Sequence, residues 1–199
     1  MENVKGLVTG DMKLIFKDIL TQLKNSGYDV RVKLMNAMYY NCATSRERII
    51  FIGVRNDLNI PASHPRPQTK PISVKQCLRG FQSKYHTPIT NKFVKQILPI
   101  LNEYGSLSKY HPKGSYFNFI NIDPNKPCNT ITLSGYKMLI YNKRILEPDE
   151  AALLQSFPKK YKWIGKPSQI WARIGNSVPP NLMKAIALHI KENILDKIK

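Results

Sequence analysis

Apolar positions come in two rhythms in the first sixty residues. In DMKLIFKDILTQLKNS, residues 11–26, Ile15, Ile19 and Leu23 recur every four residues, with Phe16 and Leu20 beside them. That period predicts an amphipathic helix, and Gly27 is placed to stop it. VRVKLMNAMYY then reads as a strand running into a turn. In RERIIFIGVR the apolar centre IIFIGV is continuous, the pattern of a strand covered on both faces. Helix, strand and strand at this spacing predict part of an α/β layer. Pro61, Pro65, Pro67 and Pro71 interrupt residues 59–72, which read as a linker leaving this unit. Beyond it, NKFVKQILPILNEYG predicts a helix bent at Pro99, and SYFNFINI and CNTITLSGYKMLIYN predict short strands. Pro148 opens a short helix over 148–157. From Pro180, Leu182, Ile186, Ile190, Ile194 and Ile198 form one stripe of a final helix that needs a surface to lie against.

The pattern divides the chain into a partial α/β unit (1–60), a mixed basic region (61–142) and a return to the first unit (143–199). Two or three strands and two helices do not close a layered core of this class. A further strand is expected to run into Glu2. The pattern therefore reads as the second half of a larger unit, with the stripe at 182–198 and the incomplete sheet edge as the expected interface.

Composition changes the picture in one respect. The 199 residues carry 31 Lys and Arg against 13 Asp and Glu, a formal charge of +18. A polyanionic partner follows, nucleic acid first. Between Pro61 and Ile122 nine basic residues face one acid, Glu103. Lysine-rich solvated surface is the alternative source of this charge, though it does not account for the local loss of acids. Three widely spaced cysteines give neither a disulfide framework nor a zinc pattern, as expected of a reduced cytoplasmic protein. No apolar run is long enough for a membrane span.

Three stretches carry candidate chemistry. Arg46 and Arg48 lie two residues apart before the apolar strand, so in extended chain they point the same way. Two guanidiniums on one side suit a phosphate or a carbonyl oxygen; they are equally ordinary strand-end charge. Glu2 stands where a strand would end, fit to exchange protons with a bound base or simply an exposed terminal acid. IGNSVPP, residues 174–180, reads as a rigid turn, with Gly175 for an unusual backbone angle, or as a plain lead-in to the final helix.

Together and in this order these stretches resemble the C-terminal half of the DNA cytosine-5 methyltransferases. The resemblance covers residues 2 to about 60 and about 127 to 190. It implies a Rossmann-like S-adenosylmethionine-dependent α/β fold with a small mixed target-recognition domain. ENV at 2–4 resembles the family's Glu-Asn-Val, so Glu2 would hold an extruded cytosine at N3 and its amino group. TSRERIIFIGVR resembles the segment ending Gln-x-Arg-x-Arg, with Thr44 in place of Gln. Arg48 would contact the cytosine O2, and Arg46 would lie near the backbone phosphate and the catalytic loop. RILEPDEAALLQSFP resembles the segment that organises the recognition domain, with Glu147, Leu153 and Ser156 departing from the usual Thr, Arg and Gly. IGNSVPP resembles the last family motif, so Asn176, Ser177 and Val178 would line part of the S-adenosylmethionine pocket. Thr130 in NTIT would approach DNA, and Arg79 and Lys84 of the basic region are candidate DNA contacts.

The family's nucleophile is a Cys following a Pro, ahead of the Glu-Asn-Val. Pro127–Cys128 lies on the wrong side of that motif, inside the recognition region, and is rejected. No Gly-rich cofactor loop is present. The resemblance thus implies the DNA-reading and base-polarising half of an enzyme of a restriction-modification system. Double-stranded DNA would be its substrate, and a second protein chain would carry the N-terminal methyltransferase motifs, most of the S-adenosylmethionine site and the Cys. Alone, this half is expected to be inactive. The alternative is a non-catalytic DNA-binding remnant or regulator.

Overall fold

The computed structural model describes residues 1–198. In chain order its elements are β1 (Glu2–Val4), α1 (Met12–Asn25), β2 (Tyr28–Asn36), β3 (Glu47–Arg55), α2 (Val74–Cys77), α3 (Lys92–Ile97), β4 (Gly105–Ser106), β5 (Ile120–Asn121), β6 (Leu139–Tyr141), β7 (Arg144–Ile145), α4 (Pro148–Leu154), α5 (Pro167–Asn176) and α6 (Pro180–Asn193).

The first sheet has the order β1-β3-β2, with both pairings antiparallel. The continuous apolar run of β3 is explained by its central place. Side chains alternate across a strand, so Ile49 and Phe51 face α1 while Ile50, Ile52 and Val54 face α6. The α1 face is closed by Phe16, Ile19, Leu20 and Leu23, packed on Val30, Ile49 and Phe51. Ile15, expected on that stripe, is instead exposed. Its place on the inner face is taken by Phe16, whose ring lies 5.9 Å from that of Phe51. Gly27 ends the helix at φ 86°, a left-handed conformation that a side chain disfavours.

On the other face α6 buries Leu182, Ala185 and Ile186. It stops at Asn193, whose side-chain Nδ2 donates to the His189 carbonyl, and a 3-10 turn follows over Leu195–Lys197. The regular stripe therefore does not continue as helix to Ile198, which is partly exposed.

Residues 59–72 form no element, as expected, yet they are not a free linker. The Ala62 amide donates to Asp29 at 2.9 Å, the Tyr40 hydroxyl donates to the Pro65 carbonyl at 3.1 Å, and Ser63 bonds His189 at 2.8 Å. The prolines hold an extended strap, and β2, the turn after it and α6 supply its hydrogen-bond partners.

The basic region carries a second sheet, β4-β5-β6-β7, mixed because β5 and β6 run parallel. Its strands are two or three residues long. Of CNTITLSGYKMLIYN, expected as short strands, only Leu139–Tyr141 is strand; its first residue, Cys128, makes an isolated bridge, exchanging backbone bonds with Ala43 and Ser45 across to the first unit. The bent helix at Pro99 is present as α3 followed by a 3-10 turn, Leu98–Ile100. The largest core of this half gathers Ile131, Leu139, Leu146, Leu154, Trp171 and Ile174. Thus α4 and α5 cover the second region, while α6 returns to the first sheet. Among the described residues no helix is long and apolar enough to cross a membrane.

Candidate functional site

The two regions meet at a cleft of about 280 Å³. β1 supplies Glu2 and Val4, the chain entering β3 supplies Arg46 and the start of β3 Arg48, the loop after Cys128 supplies Thr130 and Thr132, and the end of α5 supplies Gly175 and Asn176. Four stretches far apart in sequence thus converge on one space.

Glu2 and Arg48 form its polar floor. Adjacent antiparallel strands place them side by side, and Arg48 Nε lies 2.6 Å from Glu2 Oε1. Arg48 is largely enclosed, while a third of the Glu2 side chain remains accessible. A further nitrogen of Arg48 donates to the Glu47 carbonyl at 2.7 Å, which fixes the guanidinium plane. The pair offers a carboxylate and planar N–H donors to the same occupant. That is complementary to a neutral heterocycle bearing a carbonyl, a ring nitrogen and an amino group side by side.

Arg46 sits differently from its neighbour. It is 2% exposed, and its two terminal nitrogens donate to the carbonyls of Ile131 and Gly175, each at 2.8 Å. Among the described residues its Nε has no partner. Burial, reinforced by the charge of Arg48, pulls its pKa down to about 10, so it stays charged near neutrality. It joins the first sheet, the recognition-side loop and α5 at one point.

Gly175 is required for a reason the sequence did not show. Its backbone is helical and ordinary; a Cβ there would come within 2.5 Å of the Leu133 amide nitrogen and the Thr132 carbonyl carbon. The glycine permits close approach of α5 to that loop, correcting the expectation of an unusual backbone angle. The same stretch is the last turn of α5 rather than a free turn. Asn176 is exposed at the cleft rim. The Ser177 hydroxyl donates to the Ile174 carbonyl at 2.7 Å, and Val178 packs against the core under α6.

Thr130 lines the cleft, its hydroxyl donating to the Ser45 carbonyl at 2.7 Å. Arg79 and Lys84 are exposed and do not line this cleft. Lys84 borders a separate pocket of about 210 Å³ with Phe81, Tyr161 and Trp163.

Sequence reasoning missed the carboxylates that hold the basic region in place. Glu147 accepts from the Thr87 amide at 2.5 Å and from its hydroxyl at 2.8 Å. Asp149 accepts from the Ser83 hydroxyl at 2.6 Å and the Lys84 amide at 3.0 Å. Glu150, 1% exposed, pairs bidentately with Arg144 at 2.7 and 2.6 Å. The signal was the clustering of three acids, Glu147, Asp149 and Glu150, in a chain poor in acids.

No cysteine lines the cleft. Cys128 is fully buried and its thiol is pushed up to about 12 by desolvation. Burial also raises Cys42 and Cys77. Each is held as the unreactive thiol.

Comparison with known proteins places this geometry. The family model described as C-5 cytosine-specific DNA methylase matches residues 1–192. The type II methyltransferase M.NgoFVII of Neisseria gonorrhoeae is 28% identical over 95% of this chain and 57% of its own length. M.AplI of Arthrospira platensis is 31% identical over 98% of this chain and 57% of its own. This chain therefore spans a little over half the length of these relatives. Among solved structures, a DNA modification methyltransferase of an E. coli prophage superposes with a TM-score of 0.75 at 20% identity, covering 98% of this chain and 68% of that one. S. pombe Dnmt2 superposes at 0.64 with 15% identity, covering 98% and 66%. The likeness in fold is to the α/β Rossmann-like methyltransferases. By its sequence this chain belongs to the C-5 cytosine-specific DNA methylase family.

Proposed function

We propose that this chain is the DNA-recognition and base-polarising half of a DNA cytosine-5 methyltransferase, completed by a second polypeptide. One observation carries the reading: the Glu2–Arg48 pair faces a cleft whose opposite wall is Thr130 and Thr132 of the basic region. A base turned out of duplex DNA bound along that region would enter the cleft.

C5 of cytosine is a weak nucleophile. A thiolate adding at C6 makes it reactive, provided the negative charge developing at O2 and N3 is stabilised. Arg48 is positioned to donate to O2. Glu2, when protonated, donates to N3; its second oxygen accepts from the amino group. Their mutual contact keeps both aimed before the base arrives, so little reorganisation is needed. Arg46, committed to two carbonyls, sets the width of the cleft and holds the recognition loop against the catalytic strand.

S-adenosylmethionine, when bound, supplies the electrophilic methyl group. The residues here fit one edge of its site: Asn176 presents an exposed amide at the rim, with Ser177 and Val178 fixing the backbone beside it. The remaining walls and the attacking thiol belong to the second polypeptide, since the three cysteines here are buried or lie away from the cleft. Positive charge on the basic region, including Arg79 and Lys84, holds DNA phosphates and makes binding salt-dependent. Residues 1–60, 61–142 and 143–199 serve as partial catalytic unit, reader and return segment. The protein works in the cytoplasm, where its DNA substrate and cofactor are found.

The test is methyl transfer from labelled S-adenosylmethionine into duplex DNA. The expected result is no transfer by this chain alone, and transfer when it is mixed with a polypeptide carrying the N-terminal methyltransferase motifs. Transfer by the chain alone overturns the two-chain reading. DNA binding with no transfer in the mixture supports a non-catalytic DNA-binding protein instead.

A further inference from the structure

The pocket of about 210 Å³ beside Lys84 shares no lining residue with the cleft. Phe81 and Tyr85 line it from the chain after α2. Tyr161 and Trp163 line it from KKYKW, residues 159–163, between α4 and α5. The rings form a platform. Tyr161 and Trp163 lie 4.7 Å apart, centroid to centroid, and Phe157 packs against them at 5.4 and 4.9 Å. The loop that carries them is pinned at both ends. The Tyr161 amide donates to the Pro158 carbonyl and the Lys166 amide to the Gln169 side chain of α5, each at 2.9 Å. Tyr161 is nevertheless 51% exposed. The two tryptophans differ in the same way. Trp171 is fully buried and its indole N–H donates to the Thr132 carbonyl. Trp163 is partly exposed, and among the described residues no protein acceptor takes its N–H. Around the rings the free charge has one sign. Lys84 and Lys159 line the pocket, and Lys160 and Lys162 adjoin it in sequence. Among the described residues none of the four makes an ion pair. Lys84 Nζ stands 5.2 Å from the centre of the Tyr85 ring. The one carboxylate in the lining, Asp149, is already engaged by the Ser83 hydroxyl and the Lys84 amide.

We propose that this pocket binds an unpaired nucleotide of single-stranded DNA, its base laid on Tyr161 and Trp163 and its phosphates met by Lys84 and Lys159. Exposed aromatic faces beside unpaired lysines match the two parts of a nucleotide, a flat ring and an anion. A duplex keeps its base faces inside its own stack, so it engages the lysines and leaves the rings unused. An acidic peptide likewise answers the charge and not the platform. Gln82, exposed in the lining, offers an amide that can donate to or accept from the edge of any base, so the site grips a strand without selecting its sequence. Because the loop is pinned, little order is lost on binding. The choice of DNA over RNA rests on the reading of the protein as a DNA methyltransferase; the stacking site does not. The nucleotide held here is distinct from the base turned into the cleft, and it comes from a gap or an end of the duplex.

The test is fluorescence anisotropy of a labelled oligothymidylate titrated with the full chain, without cofactor or second polypeptide. Tyr161→Ala and Trp163→Ala are each expected to weaken binding about ten-fold, while Tyr161→Phe, which keeps the ring, binds as the wild type does. Lys159→Gln should weaken binding and lower its salt dependence by about one phosphate contact. Binding of a blunt duplex should be unchanged by Tyr161→Ala. The unlabelled strand should quench the emission of Trp163 and not that of buried Trp171, so Trp163→Phe removes the quench. Thymidylate affinity unaltered by both alanine variants overturns the proposal. Equal loss of duplex binding also overturns it, since the rings then serve the fold. Tighter binding of oligouridylate overturns the choice of DNA, and displacement of the strand by polyglutamate of equal charge assigns the pocket to an acidic partner instead. Absence of methyl transfer leaves these results standing, and loss of strand binding leaves the transfer assay standing.

Discussion

The two sheets of this protein solve opposite problems. The first has strands of nine residues, β2 and β3, and a helix on each face, yet its three-residue β1 pairs along only part of β3. The second has strands of two or three residues, but its core is enclosed by α4 and α5 and its loops are held by buried carboxylates. Strand length does not decide whether a region is complete. Completeness lies in whether backbone groups and apolar faces have partners, and the short-stranded region meets much of this need through side chains such as Glu147 and Asp149, though Phe117 and Ile164 stay exposed. The first region keeps its regular geometry and leaves an apolar groove open beside α6 among the described residues.

That contrast can be broken at several points. The largest effect is expected at the junction of the two regions. Arg48→Ala or Glu2→Ala should lower methyl transfer by the completed enzyme about 10²- to 10³-fold, with DNA binding retained. Unchanged transfer would remove both from the chemistry. Arg46→Ala should act on structure. It deletes two charge-assisted bonds and leaves the carbonyls of Ile131 and Gly175 buried and unpaired, costing about 3 kcal/mol in urea unfolding. Glu150→Ala tests the enclosed region alone. It strands Arg144 and opens the start of α4, for about 2–3 kcal/mol. Gly175→Ala forces the Thr132–Leu133 loop away and should cost about 2 kcal/mol.

The smallest effect belongs to the proline strap. His64 Nε2 lies 2.9 Å from the Ile50 carbonyl, and burial lowers its pKa below the ordinary 6.5. The unfolded chain therefore binds more protons than the folded one as pH falls through 6.5. Stability is present above that value and is lost as pH drops towards the folded pKa. His64→Gln should flatten this dependence in thermal unfolding between pH 7 and 5. An unaltered slope would assign the loss to other groups.

Much of the first region was legible because its signals are periodic. Helix α1, the buried strand β3 and the apolar stripe starting α6 are all written in residue spacing, and the Glu2–Arg48 pairing follows from motifs at the ends of neighbouring strands. The second region was poorly legible because two-residue strands carry no period. Its order comes from contacts such as Glu147 with Thr87, sixty residues apart. Arg46 and Arg48 show the limit most sharply. Their spacing suggested one shared task, and only the positions of Ile131 and Gly175 reveal that one guanidinium is a brace while the other lines the cleft beside Glu2.

The brace has an evolutionary corollary. Arg46 grips the oxygen of residue 131, a feature that every amino acid carries whatever its side chain. The joint between the two regions is thus insulated from a change of side chain at that position. The eighty-odd residues between Arg46 and Ile131 can thus change their side chains while the point that aligns the two regions keeps its bond.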